Sequence, residues 1–111
     1  MELTQKDFEK VEMRTGTIIG VEDFPKARKP AYQLKIDLGP LGIRQSSAQI
    51  TKLYKKSDLL GKQVVCVVNF PPKQIADFKS ECLVLGAVHD NNEDIIILQP
   101  ERKVANGLRI A

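Results

Sequence analysis

NFPPKQIADFKSECLVL, at residues 69–85, begins where one apolar run stops and ends in a second, and it limits how the chain can fold around it. Pro71 and Pro72 have no N–H to donate, so neither can continue a paired strand. Pro72 has a backbone angle suited to the first position of a helix. We therefore expect a short helix over Lys73–Phe78.

A polar segment follows, and the apolar run Cys82–Leu85 then returns to the sheet. This arrangement places Lys79, Ser80 and Glu81 on an exposed loop between rigid elements. Loops held in this way often carry function.

The remaining pattern is that of short strands with turn residues between them, which is typical of an all-β barrel. Tyr32–Leu38 alternates apolar and polar residues, with Tyr32, Leu34, Ile36 and Leu38 expected to point inward. We expect helical turns at residues 5–10, capped by Thr4, and at 50–54. Further strands are expected at residues 11–21, 43–49, 63–68, 82–88 and 95–98, followed by an extended tail with a turn at Asn106-Gly107.

Within the first of these strands, strict alternation predicts two faces. Ile19 shares a face with Thr17 and Val21, and Ile18 shares the other face with Gly16 and Gly20. Two glycines on one face of a strand indicate a bend, a bulge or a close backbone approach.

The chain has 111 residues, a length that fits one domain covering residues 1–111. Cys66 and Cys82 lie inside apolar runs with no metal-ligand spacing, so we expect reduced, buried thiols. No apolar stretch approaches the roughly 20 residues of a membrane helix. The first residues lack the apolar core of a signal peptide, and we therefore expect a cytoplasmic protein without membrane insertion.

Charge is distributed unevenly along the chain. Residues 24–79 carry eleven Lys or Arg and only three Asp or Glu, whereas residues 1–23 and 80–111 are both net acidic. One positive face would attract polyanions such as nucleic acid. The alternative is an ordinary lysine-rich solvated surface.

Signals for catalysis and cofactor binding are absent from the sequence. The one histidine, His89, lies in an acidic turn, and no cluster has metal-ligand spacing. There is no glycine-rich phosphate loop. Ser46 and Ser47 have no histidine or lysine presented as their base. We expect a protein that is not an enzyme and that needs no metal or cofactor.

Four segments carry a recognisable pattern: DFEKV and MRTGTI at residues 7–11 and 13–18, IRQSSAQIT at 43–51, VVNFPPKQIADFKSE at 67–81, and the tail from Pro100 to Ile110. Together they resemble the family of free-standing bacterial tRNA-binding proteins, including its CsaA-like secretion chaperones. The likeness covers nearly the whole chain. Cys82-Leu83 after Glu81, and Ala76-Asp77 in place of a small-glycine pair, differ from the closer tRNA-binding relatives and suit the CsaA-like members.

The resemblance implies an OB-fold, that is, a five-stranded barrel with short helices, with N- and C-terminal extensions that form a homodimer interface. It also implies tRNA binding through shape and backbone. On that basis, phosphate contacts are expected from Lys26, Arg28, Lys35, Arg44, Lys73 and Lys79. Hydrogen bonds to bases or riboses are expected from Gln45, Ser46, Ser47 and Ser80.

The same resemblance implies a second role, in which the protein is an export-related chaperone. It would bind unfolded precursor proteins, or the export machinery, through an apolar groove containing Phe70, Ile75 and Phe78. Those three side chains could equally be core or dimer-interface residues. A third alternative is a structural dimeric adaptor that does not bind RNA in vivo.

Overall fold

A single long strand organises the fold. The structure is a computed structural model that describes residues 1–111. Strand β1 (Met13–Asp23) is long enough to pair with β2 along its second half and with β4 along its first half. The other elements are α1 (Gln5–Glu9), β2 (Tyr32–Asp37), a 3-10 turn (Gly39–Leu41), β3 (Ile43–Ala48), α2 (Lys56–Leu59), β4 (Gln63–Val67), β5 (Lys73–Ile75), β6 (Phe78–Ser80), β7 (Leu83–Val84), β8 (Gly86–Val88) and β9 (Ile95–Ile97).

The main sheet is antiparallel, with strand order β3-β2-β1-β4-β7. Its two outer strands, β3 and β7, lie close to each other, so the sheet curls into a nearly closed barrel. The all-β, five-stranded, OB-like barrel predicted from the sequence is confirmed. The remaining strands form two small antiparallel hairpins, β5–β6 and β8–β9.

The barrel interior is filled by alternate residues of β2 and their neighbours. Leu34, Ile36 and Leu38 are fully buried and Tyr32 nearly so, as the alternation predicts. Leu59 caps the interior from α2. A Cβ added to Gly16 would lie 2.6 Å from Ile36 Cγ2. Glycine at this position lets β1 and the β2 side chains pack closely, which confirms the close approach that the sequence indicated.

A β-bulge makes the predicted faces of β1 wrong. The pairing with β2 passes from Ile18 opposite Ile36 to Gly20 opposite Lys35, so Ile19 is an extra residue in β1. Such a residue reverses the alternation that follows it. Beyond the bulge, Gly20 lies on the outer face opposite the exposed Lys35, and Val21 lies on the core side opposite the fully buried Leu34. Val21 therefore shares the core side with Ile18, whereas Ile19 is 45 % exposed.

The helix predicted over Lys73–Phe78 is also wrong. These residues begin a β-hairpin, in which β5 and β6 pair and Ile75 lies opposite Phe78. Ala76 occupies the turn with φ of +52°. The hairpin is held by tertiary contacts: Phe78 packs on Phe24 with ring centroids 5.3 Å apart.

Two smaller predictions need adjustment. The helical turns predicted at residues 50–54 are an irregular turn, and the helix α2 starts later, at Lys56. The predicted strand over residues 82–88 is divided into β7 and β8, which pair with different strands. The N-terminal helix is confirmed, since the Thr4 hydroxyl accepts a hydrogen bond of 3.1 Å from Asp7 N–H.

The C-terminal tail runs beside the first half of β1 in the same chain. Thr15 N–H donates to Leu108 O at 3.0 Å, and Ile110 N–H donates to Met13 O at 3.1 Å. The buried Thr15 hydroxyl donates to Ala105 O and accepts from Leu108 N–H. The predicted turn at Asn106-Gly107 is confirmed, with Gly107 at φ of +85°.

Cys66 and Cys82 are free and buried in the main core, as predicted. The adjacent Cys82 thiol, together with burial, raises the pKa of Cys66. Neither α1 nor α2 has the length and apolar character required to cross a membrane. No group of three or more His, Cys, Asp or Glu side chains is placed to hold a metal ion.

Candidate nucleic-acid interface

The outer face of β1, β2 and β3 presents two rows of residues in register. Gly20, Lys35 and Gln45 are paired across the three strands, and Glu22, Gln33 and Ser47 form the next row. Directly paired residues in antiparallel strands point to the same side of a sheet. We call these six residues the sheet face.

A loop and a hairpin flank the sheet face. Residues 24–31 connect β1 to β2, and the β5–β6 hairpin packs against this loop through Phe24, Ala31 and Phe78. An ion pair of 2.9 Å joins Lys26 Nζ to Asp77 Oδ2 at the surface of the same contact. OB-folds bind oligonucleotides on the face of their second and third strands and with two flanking loops, so this geometry suits a polyanion.

The ion pair between Lys26 and Asp77 shifts the pKa of both side chains. The hydrogen bond from Lys26 lowers the pKa of the Asp77 carboxyl and raises the pKa of the Lys26 ammonium. Both side chains are exposed, so solvent screens the pair and its contribution to stability is small. Its main effect is to hold the loop and the hairpin tip together, and it partly neutralises Lys26 as a phosphate ligand.

Four of the predicted phosphate ligands make neither an ion pair nor a side-chain hydrogen bond within the protein. None of the salt bridges involves them, and each is exposed or half-buried; they are Arg28, Lys35, Lys73 and Lys79. Lys35 lies in the sheet face, Arg28 in the flanking loop, and Lys73 and Lys79 on the hairpin. The structure therefore distributes these cations around the same part of the surface.

Arg44 is placed differently. Its Nη1 donates to Val68 O at 2.8 Å, and the side chain is half-buried between β3 and the end of β4. It forms part of the scaffold, and a phosphate would have to compete with the Val68 carbonyl for this guanidinium.

The predicted base and ribose ligands are largely engaged in closing the barrel. Gln45 Nε2 donates to Lys79 O at 2.9 Å, and Ser80 Oγ accepts from Ser47 N–H at 3.1 Å. Ser46 is 1 % exposed and its hydroxyl donates to Ser47 O, so a ligand would reach it only if β3 moved. Gln45 Oε1 and the Ser47 hydroxyl have no partner within the protein and can still accept or donate.

Glu81 is a structural residue that the sequence analysis did not assign. Its Oε1 accepts a hydrogen bond from Gln45 N–H, and its own N–H donates to Gln45 O. The FKSE segment at residues 78–81 thus joins the β6 side of the barrel to β3. The exposed loop predicted for Lys79, Ser80 and Glu81 is therefore wrong, because Lys79 and Ser80 belong to β6 and Glu81 is half-buried.

The three predicted peptide ligands are separated by the structure. Phe70 is 56 % exposed and borders a cavity of about 270 Å³ that also contains Leu83. Ile75 borders a second, mainly apolar groove of about 310 Å³ between the end of β3 and β7. Phe78 lies in neither and is buried against Phe24, in agreement with the core alternative considered for it.

Comparison with known proteins agrees with this architecture. A domain family described as "Putative tRNA binding domain" matches residues 13–109. The methionine–tRNA ligase of Thermococcus onnurineus is 39 % identical over 105 residues, which are 95 % of this chain but 14 % of that protein. The chain thus spans about one-seventh of the length of such relatives.

Solved structures of similar length give a full-length match. The crystal structure of chaperone CsaA from Bacillus anthracis has a TM-score of 0.94 and 50 % identity, covering 100 % of both chains. The CsaA chaperone from Picrophilus torridus has a TM-score of 0.92 and 49 % identity, with 99 % of this chain and 100 % of that one covered. The resemblance inferred from the motifs is confirmed, and the chain belongs to the putative tRNA-binding domain family, with CsaA chaperones among its structural neighbours.

Proposed function

We propose that this protein binds tRNA through the sheet face and its flanking loop and hairpin, without catalysing a reaction. The observation that carries the proposal is the grouping of Arg28, Lys35, Lys73 and Lys79 around the face on which an OB-fold receives nucleic acid. The family match over residues 13–109 supports it.

The mechanism follows from charge and shape. Each ammonium or guanidinium that neutralises a phosphate releases condensed counterions, which favours binding and makes affinity fall with salt. The chain has no tryptophan, and Phe24, Phe78 and Tyr32 are buried, so it lacks an extended aromatic platform for stacking successive bases. Folded RNA, bound by its backbone, is the ligand that this surface suits.

The test is tRNA affinity measured against the logarithm of salt concentration. Lys79→Ala should weaken binding to different tRNAs about equally and reduce the salt slope by roughly one. Lys103→Ala is the matched control, because Lys103 is an exposed lysine without an ion pair; it lies in the tail next to Val104, whose N–H donates to Gln63 at the start of β4. An unchanged slope and affinity for Lys79→Ala would place the RNA surface elsewhere.

A second candidate function is the binding of extended polypeptide. The observation in its favour is the pair of apolar cavities on either side of the β5–β6 hairpin, which share Lys73, Ser80, Cys82 and Leu83. We propose unfolded precursor proteins, or a component of the export machinery, as the ligand in the cytoplasm. The likeness to CsaA chaperones supports this role.

Competition between tRNA and an unfolded polypeptide tests whether the two ligands share one site. An unfolded polypeptide added to the protein–tRNA complex should displace tRNA only if both occupy the hairpin region. Phe70→Ala should weaken polypeptide binding and leave tRNA affinity unchanged. If Phe70→Ala binds polypeptide as wild type does, the Phe70 cavity is not the peptide site.

We also propose that the protein acts as a homodimer through its terminal segments. Apolar side chains remain exposed there, with Leu3 at 70 % and Leu108 at 46 %. A cavity of about 380 Å³ separates α1 from the last residues of the tail and would receive a partner's side chains. Sedimentation equilibrium at micromolar concentration tests this, and a folded monomer would contradict it.

A further inference from the structure

The β-bulge in β1 brings an isoleucine into the surface on which RNA is proposed to lie. Ile19 is the extra residue between Ile18 and Gly20, and it is 45 % exposed. Bulges are frequent beside functional sites, where they re-aim a side chain. Ile19 borders a groove of about 230 Å³ together with residues of the sheet face and Phe78.

Glycine keeps this groove open. A Cβ on Gly20 would lie 3.4 Å from Lys35 Cβ and 3.6 Å from Lys35 Cδ. The Lys35 stem therefore lies over the bare backbone of Gly20, and one wall of the groove is aliphatic. A larger side chain at position 20 would occupy that space and displace Lys35.

The groove also contains polar groups without protein partners. Gln33 makes no hydrogen bond through its carboxamide, and Gln45 uses only its Nε2, which donates to Lys79 O. Glu22 lies at the same groove and forms no salt bridge. A carboxylate beside the groove disfavours a phosphate in it, so the polar groups suit a neutral ligand that both donates and accepts hydrogen bonds.

We propose that this groove holds one unpaired nucleobase of the bound RNA. The base lies against Ile19 and the Lys35 stem, and the Gln33 carboxamide and Gln45 Oε1 form hydrogen bonds with its edge. Amide side chains are suited to this, because they offer a donor and an acceptor side by side. This inference rests on the proposed tRNA binding, and it identifies the ligand as RNA with an unpaired base within reach of the basic residues.

The size of the groove indicates one base and no more. Its volume is about 230 Å³, below the roughly 300 Å³ at which sites for drug-sized ligands begin. Phosphates on either side of that base would reach Arg28 or Lys79 on the flanking elements. Charge would then supply most of the affinity, and the groove would select RNA that can extrude a base.

The test compares two RNAs with the same number of phosphates. One is a hairpin with an unpaired loop, and the other is a blunt duplex. Wild type should bind the hairpin about ten-fold more tightly, since holding one base is worth roughly that factor. Gly20→Val should abolish this preference, whereas Lys79→Ala should weaken binding to both RNAs equally and leave the preference in place.

A second variant keeps the test valid if Gly20→Val does not fold. Ile19→Thr keeps a β-branched residue at an exposed position and should reduce the preference as well. Ile96→Thr is the matched control, because Ile96 is a 38 % exposed isoleucine on β9 and does not border the groove. Circular dichroism and urea unfolding check the fold of all three variants.

The outcomes separate the two proposals. If wild type binds tRNA with a salt-dependent affinity but binds hairpin and duplex equally, the nucleobase site is overturned and tRNA binding stands. Retention of the preference in folded Gly20→Val and Ile19→Thr would also overturn it. If wild type binds no tRNA, the proposed function itself fails.

Discussion

Gln45 and Glu81 exchange two hydrogen bonds across the gap between β3 and the segment that follows β6. Glu81 N–H donates to Gln45 O at 2.8 Å, and Gln45 N–H donates to Glu81 Oε1 at 3.1 Å. One of these bonds comes from a side chain, so the barrel closes here through a particular residue as well as through backbone pairing. Closure therefore depends on the identity of residue 81.

Removing the Glu81 carboxylate should destabilise the fold. Glu81→Ala leaves the half-buried Gln45 N–H without its acceptor and should lower the free energy of unfolding by about 1–3 kcal/mol. Glu81→Gln keeps an oxygen acceptor and should recover part of the loss. Urea unfolding measures both, with Glu22→Ala as an exposed, unpaired control. Equal stability of Glu81→Ala and the control would show that the side-chain bond is dispensable.

The same substitution should have different effects on stability at two glycines of β1. An alanine at position 16 would lie 2.6 Å from Ile36 Cγ2 and 2.8 Å from Leu38 Cδ2, both in the filled core. Gly16→Ala should cost about 1–3 kcal/mol of unfolding free energy through overpacking. Gly20→Ala meets nothing closer than 3.4 Å and should be nearly neutral. Thermal unfolding of the pair tests this, and similar losses at both sites would contradict it.

The turn of the β5–β6 hairpin carries a backbone conformation that alanine disfavours. Ala76 has φ of +52°, which costs an L-residue roughly 1–2 kcal/mol and a glycine nothing. Ala76→Gly should stabilise the protein by about 0.5–1 kcal/mol after the entropy of the unfolded glycine is subtracted. Ala87→Gly, in an ordinary strand position of β8, should instead destabilise it. Loss of stability in Ala76→Gly would mean that the turn is not strained.

Residues 73–78 show why part of the fold could not be predicted from the sequence. Lys73, Gln74 and Ala76 favour a helix locally, and Pro72 can begin one. Contacts with a distant loop, through Phe24 and Lys26, stabilise the hairpin instead. By contrast, the strand Tyr32–Asp37 was predictable, because its alternation directly reflects one buried and one exposed face.

The candidate site was predictable in its residue types more than in its geometry. The exposed lysines follow from the basic middle of the chain. The bulge that places Gly20 on the outer face beside Ile19, and Val21 on the core side, depends on register, which alternation alone cannot reveal. Ser46 was a candidate RNA ligand and Phe78 a candidate peptide ligand, and both are buried in the structure. The sequence could not show this, because burial depends on which face of each strand meets the core.

The buried Cys66 thiol should make stability depend on alkaline pH. The adjacent Cys82 thiol and burial raise its pKa in the folded protein above that in the unfolded chain. As pH rises past the unfolded value of about 8.5, the unfolded chain loses this proton while the folded protein keeps it, and unfolding becomes more favourable. The loss should approach about 1.4 kcal/mol per pH unit. Below pH 8 this contribution to stability is fully present.

Lysines and tyrosines also titrate at alkaline pH, but they do so in both wild type and Cys66→Ala. Comparing the free energies of unfolding of the two proteins therefore isolates the contribution of Cys66. Wild type should be more stable than Cys66→Ala near pH 7, because alanine leaves a small cavity, and its advantage should shrink between pH 8 and pH 10. Val64→Ala, another buried position of β4 without a titratable group, should show a deficit that is constant with pH. Urea unfolding at several pH values provides the measurement. A Cys66→Ala deficit as constant as that of Val64→Ala would show that Cys66 titrates alike in the folded and unfolded states.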